Sequence, residues 1–174
     1  MTLFNEVTPT AEDANVRRIT IKVNGESRTV DVEPRVLLAH LIRQGLKMTG
    51  THTGCDTTNC GACTVLVEGK AVYACSVLAM SMEGKKVLTV EGLRDGEKLH
   101  PIQQAFLDEQ AGQCGYCLSG IVISTKALLD RNPAPSRADI VAALGNDSPW
   151  RVRSVTMIVR PPPLRSFLKF GETR

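Results

Sequence analysis

The chain lacks three features that each mark a broad class of protein. No apolar run approaches the ~20 residues that a membrane-spanning helix needs. The 21 basic and 18 acidic residues are interspersed, and the net charge of +3 forms no basic stripe for nucleic acid or an anionic membrane. The opening stretch MTLFNEVTPTAEDAN has neither the basic start nor the apolar segment of a secretory signal. We therefore expect no nucleic-acid binding, no direct membrane insertion and no general secretion.

Six cysteines occur in this chain, and no export signal accompanies them. The segment RRITIK faintly resembles a twin-arginine signal, but VNGESRTVDV follows where an apolar segment is required, so we interpret it as a strand. Thiols in such a chain favour a reducing compartment, and metal or redox chemistry over a disulfide framework. We expect a cytoplasmic protein, and any association with a membrane would be through partners.

The first half of the chain has the patterning of strands around one helix. Alternating runs on either side of Asn24-Gly25 predict an antiparallel hairpin. PRVLLAHLIRQG predicts a helix that starts at Pro34 and ends at Gly45. CTVLVEG, KAVYAC and KKVLTVEG predict three further short strands.

Helical spacing replaces strand patterning beyond about residue 96. PIQQAFLDEQ, LSGIVISTKALLDR and SRADIVAALG predict three helices, with Ser136 as the N-cap of the third. The change of pattern divides the chain into an N-terminal extension at 1–16, a strand-rich domain at 17–95 and a helical domain at 96–174.

A first set of cysteines has the spacing C-x4-C-x2-C, with a fourth cysteine after eleven further residues. This spacing is typical of plant-type [2Fe–2S] ferredoxins. Three ligands then come from one tight loop and the fourth from the end of a neighbouring strand, while small residues let the backbone approach the sulfides. Buried structural thiols and a zinc site are the alternatives. The set consists of Cys55, Cys60, Cys63 and Cys75.

A second pair of cysteines, Cys114 and Cys117, lies in the stretch QCGYC. By itself the pair is compatible with a redox disulfide, part of a zinc site or half of an iron–sulfur cluster. We expect the ring of Tyr116 to pack beside a cluster or the core. For His52, in the loop before the first set, we favour a solvated residue over one that tunes a cluster by a hydrogen bond.

Four motifs in order resemble one known family. GCDTTNCGACTV, VLTVEGL, LHPIQQAF and QCGYC follow one another as in the small iron–sulfur subunit of the molybdenum hydroxylases. That group includes xanthine dehydrogenase, aldehyde oxidoreductase and carbon monoxide dehydrogenase. The resemblance extends from about Arg18 to Asn146. It implies an α+β architecture, in which a plant-type ferredoxin-like (β-grasp) domain precedes an all-α four-helix bundle and each holds one [2Fe–2S] cluster.

The resemblance also implies roles for individual residues. The first cysteine set would bind the cluster on the FAD side, and Cys114 and Cys117 would supply half of the ligands on the molybdenum side. Gln113 occupies a position where the family touches the pterin, although a polar residue bonding local backbone is an alternative.

The function that the resemblance implies is electron transfer without a catalytic site on this chain. A large molybdenum–pterin subunit would hydroxylate the substrate, and electrons would pass through the two clusters to FAD on another subunit, in a heterotrimer or its dimer. Two other functions stay open. One is a stand-alone one-cluster carrier with Cys114 and Cys117 as a redox dithiol, and the other is a zinc-stabilised binding module.

The chain departs from the family after Asn146. The family completes the second cluster with a C-x-C pair, and Ser148 and Trp150 stand at the matching positions. Tryptophan offers only a donor N–H and cannot ligate iron. Three explanations compete for residues 147–174: a changed reading frame or wrongly recorded sequence, a natural variant with one cluster, or ligands from a partner subunit.

Overall fold

The computed structural model describes residues 16–144 and Val155. Five strands form one mixed sheet: β1 Arg17–Val23, β2 Glu26–Val32, β3 Thr64–Val67, β4 Lys70–Tyr73 and β5 Lys86–Leu88. They lie in the order β2-β1-β5-β3-β4. Strands β1 and β5 are parallel, and the other neighbouring pairs are antiparallel.

Both hairpins of the sheet turn through two residues with positive φ. Asn24 and Gly25 have φ of 51° and 88°, and Glu68 and Gly69 have φ of 49° and 77°. Two such residues in succession give a turn whose twist matches that of the flanking strands. The structure therefore confirms the hairpin predicted around Asn24-Gly25.

The first helix begins later than the sequence predicts. Helix α1 spans Leu38–His40 and continues as a π-helical turn over Leu41–Gly45, so the predicted start at Pro34 is wrong. Leu37 forms an isolated antiparallel bridge with Leu78, which keeps the preceding backbone extended. Pro34 instead lies in a turn that the amide of Val36 closes by donating to the carbonyl of Glu33 at 3.0 Å.

Two predicted strands end early in short 3-10 turns. Strand β4 ends at Tyr73, and Cys75 lies in the 3-10 turn Ala74–Ser76 that follows. Strand β5 ends at Leu88 and is followed by a 3-10 turn at Val90–Leu93. The fourth cysteine of the first set is therefore held just beyond a strand end.

Three helices follow the sheet: α2 Pro101–Asp108, α3 Leu118–Arg131 and α4 Arg137–Leu144. Ser136 caps α4 as predicted, because its Oγ accepts the amide of Asp139 at 3.2 Å. His100 caps α2 by accepting the amide of Ile102 on Nδ1 at 3.2 Å, and burial lowers the pKa of this imidazole. Between residues 16 and 144, no helix is both long enough and apolar enough to span a bilayer.

Two apolar cores hold these elements together. One joins the sheet to α1 around the fully buried Ile21 and Leu38. The other lies among the helices, and Leu66 of β3 and Leu93 pack into it, as does the buried Val155. The arrangement confirms the predicted α+β class. The predicted domain boundary near residue 96 stays a prediction.

Helix α3 lies directly on the loop that carries the first cysteine set. A β-carbon added to Gly120 would be 1.8 Å from the carbonyl oxygen of Gly61. Ser119, one residue earlier, donates from Oγ to the carbonyl of Ala62 at 3.4 Å. Only glycine allows a helix backbone to approach the loop this closely.

Replacing Gly120 should therefore destabilise the fold. We expect Gly120→Ala to lower the free energy of unfolding by about 1–3 kcal/mol, because overpacking outweighs the gain in helix propensity. Urea denaturation followed by circular dichroism measures this change. Ser119→Ala is the comparison: it removes only the long hydrogen bond to Ala62 and should lower the free energy of unfolding by less than Gly120→Ala does. Equal stability of Gly120→Ala and the unaltered chain would contradict the close contact.

Candidate metal centre

The loop between Gly54 and Cys63 has an unusual backbone. Asp56, Thr58 and Gly61 have φ of 55°, 62° and 64°. Left-handed residues within a short turn direct successive amide groups toward a concavity, which is a common arrangement at phosphate and iron–sulfur sites. The loop therefore has the backbone form that an anionic, sulfide-containing group requires.

The thiol of Cys55 already accepts hydrogen bonds from this backbone. The amides of Cys60 and Thr57 donate to its Sγ at 3.1 Å and 3.5 Å. These bonds lower the pKa of Cys55 to about 6. A thiolate is the form that ligates metal, and a lowered pKa favours the thiolate form of Cys55 at neutral pH.

Cys63 lies close to two other thiols of the set. The thiol of Cys63 interacts with those of Cys75 and Cys60, and the amide of Ala74 donates to the carbonyl of Cys63 at 3.2 Å. Burial raises the pKa of Cys63 to about 12. A thiolate buried this deeply requires a nearby positive charge, which bound iron supplies.

The residues around the thiols fit a [2Fe–2S] cluster. The hydroxyls of Thr51 and Thr53 are buried and have no hydrogen-bond partner among the described residues, so this segment has unused donors within four residues of Cys55. Gly54 leaves room beside Cys60, because an added β-carbon would be 3.0 Å from its Sγ. Donors and close backbone of this kind stabilise the sulfur atoms of a cluster.

A zinc ion fits the described residues less well. Between residues 16 and 144, no three histidine, cysteine, aspartate or glutamate side chains are grouped to hold a single metal ion. A two-iron cluster distributes its four cysteine ligands over two metal atoms, so its thiols are spread more widely. The spacing of the four cysteines, typical of plant-type ferredoxins, favours a cluster over the zinc alternative.

The second cysteine pair lies in a different environment. Cys114 is exposed, and the half-buried Cys117 immediately precedes α3. Gln113 is exposed next to them. Ser148 and Trp150, where the expected C-x-C pair would be, lie outside the described residues. The chain contains no cysteine after Cys117, so it supplies two thiols here and not four.

The structure shows a contact between the two cysteine motifs that sequence reasoning missed. His52, predicted as a solvated loop residue, is half-buried, and its ring stacks on that of Tyr116 with 4.8 Å between centroids. Its Nδ1 donates to the carbonyl of Tyr116 at 2.8 Å, since a carbonyl can only accept. The sequence shows a histidine before the first motif and a tyrosine inside the second. Nothing in either local pattern indicates that the two residues are in contact.

Comparison with known families agrees with these two sites. A family model described as a 2Fe-2S iron-sulfur cluster binding domain matches residues 21–89. A second model, described as a [2Fe-2S] binding domain, matches residues 89–148. The first match contains the four thiols of the first set, and the second contains only Cys114 and Cys117.

Proteins of known activity resemble most of the chain. It is 43% identical over 129 residues to the nicotine 6-hydroxylase small subunit of Paenarthrobacter nicotinovorans, covering 74% of this chain and 78% of that subunit. It is 39% identical over 146 residues to the aldehyde oxidoreductase iron-sulfur-binding subunit PaoA of Escherichia coli K12, covering 82% of this chain and 64% of that subunit.

Solved structures show the same likeness. Quinoline 2-oxidoreductase from Pseudomonas putida 86 superimposes with a TM-score of 0.76 at 34% identity, covering 84% of this chain and 95% of that chain. The aldehyde oxidoreductase from Desulfovibrio gigas gives a TM-score of 0.73 at 34% identity, covering 82% of this chain and 17% of a longer one. The chain therefore belongs to the family of small iron–sulfur subunits of the molybdenum hydroxylases.

Proposed function

We propose that this electron-transfer subunit passes electrons, one at a time, from a molybdenum–pterin subunit toward FAD on another subunit. The observation that carries the proposal is the first cysteine set, in which two backbone amides donate to Sγ of Cys55 and the thiol of Cys63 interacts with those of Cys60 and Cys75. A [2Fe–2S] cluster bound there supplies one-electron redox chemistry. Catalysis on the substrate belongs to the molybdenum subunit.

The chain's own residues would hold the cluster and control its surroundings. Cys55, Cys60, Cys63 and Cys75 are the proposed ligands. The amides that donate to Cys55 Sγ offset part of the negative charge on the sulfur. Burial of Cys63 and Cys75 excludes water from one side of the site. Hydrogen bonds to sulfur and exclusion of water are two of the means by which a protein sets a cluster's reduction potential.

A second cluster does not fit the residues of this chain. Cys114 and Cys117 are two ligands of the four that a [2Fe–2S] cluster needs. We therefore propose one complete cluster per chain. The three explanations for residues 147–174 differ in what would complete the cysteine pair. A corrected sequence would supply the missing cysteines, a natural one-cluster variant would leave the pair incomplete, and a partner subunit would supply ligands of its own.

The proposed partners follow from the family. The relatives are named as a small subunit and as an iron-sulfur-binding subunit, which implies partner subunits. We propose that a large molybdenum–pterin subunit and an FAD subunit complete a heterotrimer or its dimer. We propose that Gln113, exposed beside the second cysteine pair, faces the pterin of the large subunit. Six free thiols fit a reducing, cytoplasmic compartment.

Iron content should depend on the first cysteine set alone. We expect about two iron and about two sulfide ions per chain, which Cys60→Ser and Cys75→Ser should abolish or sharply reduce. Cys114→Ser and Cys117→Ser are matched controls and should retain full iron content. Colorimetric iron and sulfide assays on the full chain measure both. Iron that depends equally on Cys114 would contradict the assignment.

The converse variant tests the incomplete pair. Ser148→Cys combined with Trp150→Cys restores the family's C-x-C spacing, so iron content should rise from about two to about four per chain. A combination that also carries Cys114→Ser should lose that gain. An unaltered chain that already holds about four iron atoms would overturn the one-cluster proposal.

Assembly with a molybdenum subunit can be tested in the source organism. A tagged full-length chain should elute from a sizing column with a larger polypeptide, molybdenum and FAD, all measurable by metal analysis and absorbance. Elution as a free 18.9-kDa chain that contains iron would instead support the stand-alone carrier.

A further inference from the structure

The side chain of Tyr116 bridges the two cysteine motifs. Its hydroxyl donates to the carbonyl of Thr53 at 2.9 Å, and its own carbonyl accepts Nδ1 of His52 at 2.8 Å. The two rings are stacked, with planes 19° apart. Two hydrogen bonds and a ring contact thus fix a residue of QCGYC against the segment that leads into the first thiol.

The fixed ring lies over the cluster loop on the side of Cys60. A β-carbon added to Gly54 would be 3.3 Å from Cε1 of Tyr116 and 3.0 Å from Sγ of Cys60. The space where a side chain of residue 54 would begin is therefore bordered by both the ring of Tyr116 and the sulfur of Cys60. Because Gly54 has no side chain, the ring can approach Cys60 closely.

The two ligand pairs of the first set differ in exposure. Cys63 and Cys75 are buried, whereas Cys55 and Cys60 are only partly buried. Tyr116 is 50% exposed; one face of its ring stacks on His52, and its Cε1 edge lies toward Gly54 and Cys60. The ring therefore lies beside Cys60, one of the two less buried thiols.

We propose that Tyr116, held in place by His52, shields the Cys60 side of the cluster from water and so keeps its reduction potential low. This inference rests on the proposed function. Reduction adds negative charge to a cluster that is already anionic. Water stabilises the more highly charged form, so solvent exposure is one of the factors that set the potential. Tyr116 and His52 are positioning residues and do not ligate iron.

The midpoint potential of the first cluster tests the shield directly. The midpoint potential is measured by potentiometric titration of the full chain, with electron paramagnetic resonance as the readout. Tyr116→Ala should shift the equilibrium toward the reduced cluster about tenfold, which raises the midpoint potential by about 59 mV for a one-electron couple. His52→Ala removes the stack and one hydrogen bond, and should raise the potential by a smaller amount.

Two controls separate shielding from general disturbance. Tyr116→Phe keeps the ring and its stack but loses the hydrogen bond to Thr53. Its reduction equilibrium should stay within about twofold of that of the unaltered chain, which is a shift of about 18 mV in midpoint potential. Leu107→Ala removes a side chain on α2 that is 60% exposed, and should leave the potential unchanged. Transfer of iron to a chelator should be faster in Tyr116→Ala than in either control.

The outcomes are distinguishable. Unchanged potentials in both Tyr116→Ala and His52→Ala would overturn the shield, even if iron loss became faster, since a purely structural role predicts that pattern. If Tyr116→Ala fails to hold a cluster, the midpoint potential of His52→Ala alone tests the shield: a raised potential supports it and an unchanged potential overturns it. An unaltered chain that binds no cluster would overturn the proposed function, and the shield with it.

Discussion

The close approach of α3 to the cysteine loop is the contact on which the rest of the site depends. Gly120 has no β-carbon where one would collide with the carbonyl of Gly61. This contact brings the start of α3, and with it Cys117 and Tyr116, next to the loop that carries Cys55. The sheet and the helices thus meet at the site itself, and Leu66 continues their contact into the helical core.

Local sequence predicted the parts of the site that one segment specifies. The Asn24-Gly25 hairpin, helix α3 and the Ser136 cap depend on residues close in sequence, and the structure agrees with each. The predicted helix start at Pro34 was wrong because Leu37 pairs with Leu78, far away in the chain. The patterns themselves contained no sign of that pairing.

The contacts that join the two motifs were not predictable from one sequence. His52 and Tyr116 are separated by 64 positions, and each has an ordinary local explanation as a loop histidine or a packed ring. Gly120 likewise looks like an unremarkable glycine within a helical pattern. Only the folded chain shows that these residues surround the same loop, because tertiary contacts choose between local alternatives that are equally acceptable.

The two cysteine motifs differ in what the chain supplies to each. The first has four thiols, donating amides and partial burial, whereas the second has two thiols and ends in a stretch where serine and tryptophan replace the expected pair.

The direct test is spin quantitation by electron paramagnetic resonance on the fully reduced, full-length chain. We predict about one unpaired electron per chain, from one plant-type signal. Two distinct signals that together account for about two unpaired electrons per chain would contradict a single complete cluster.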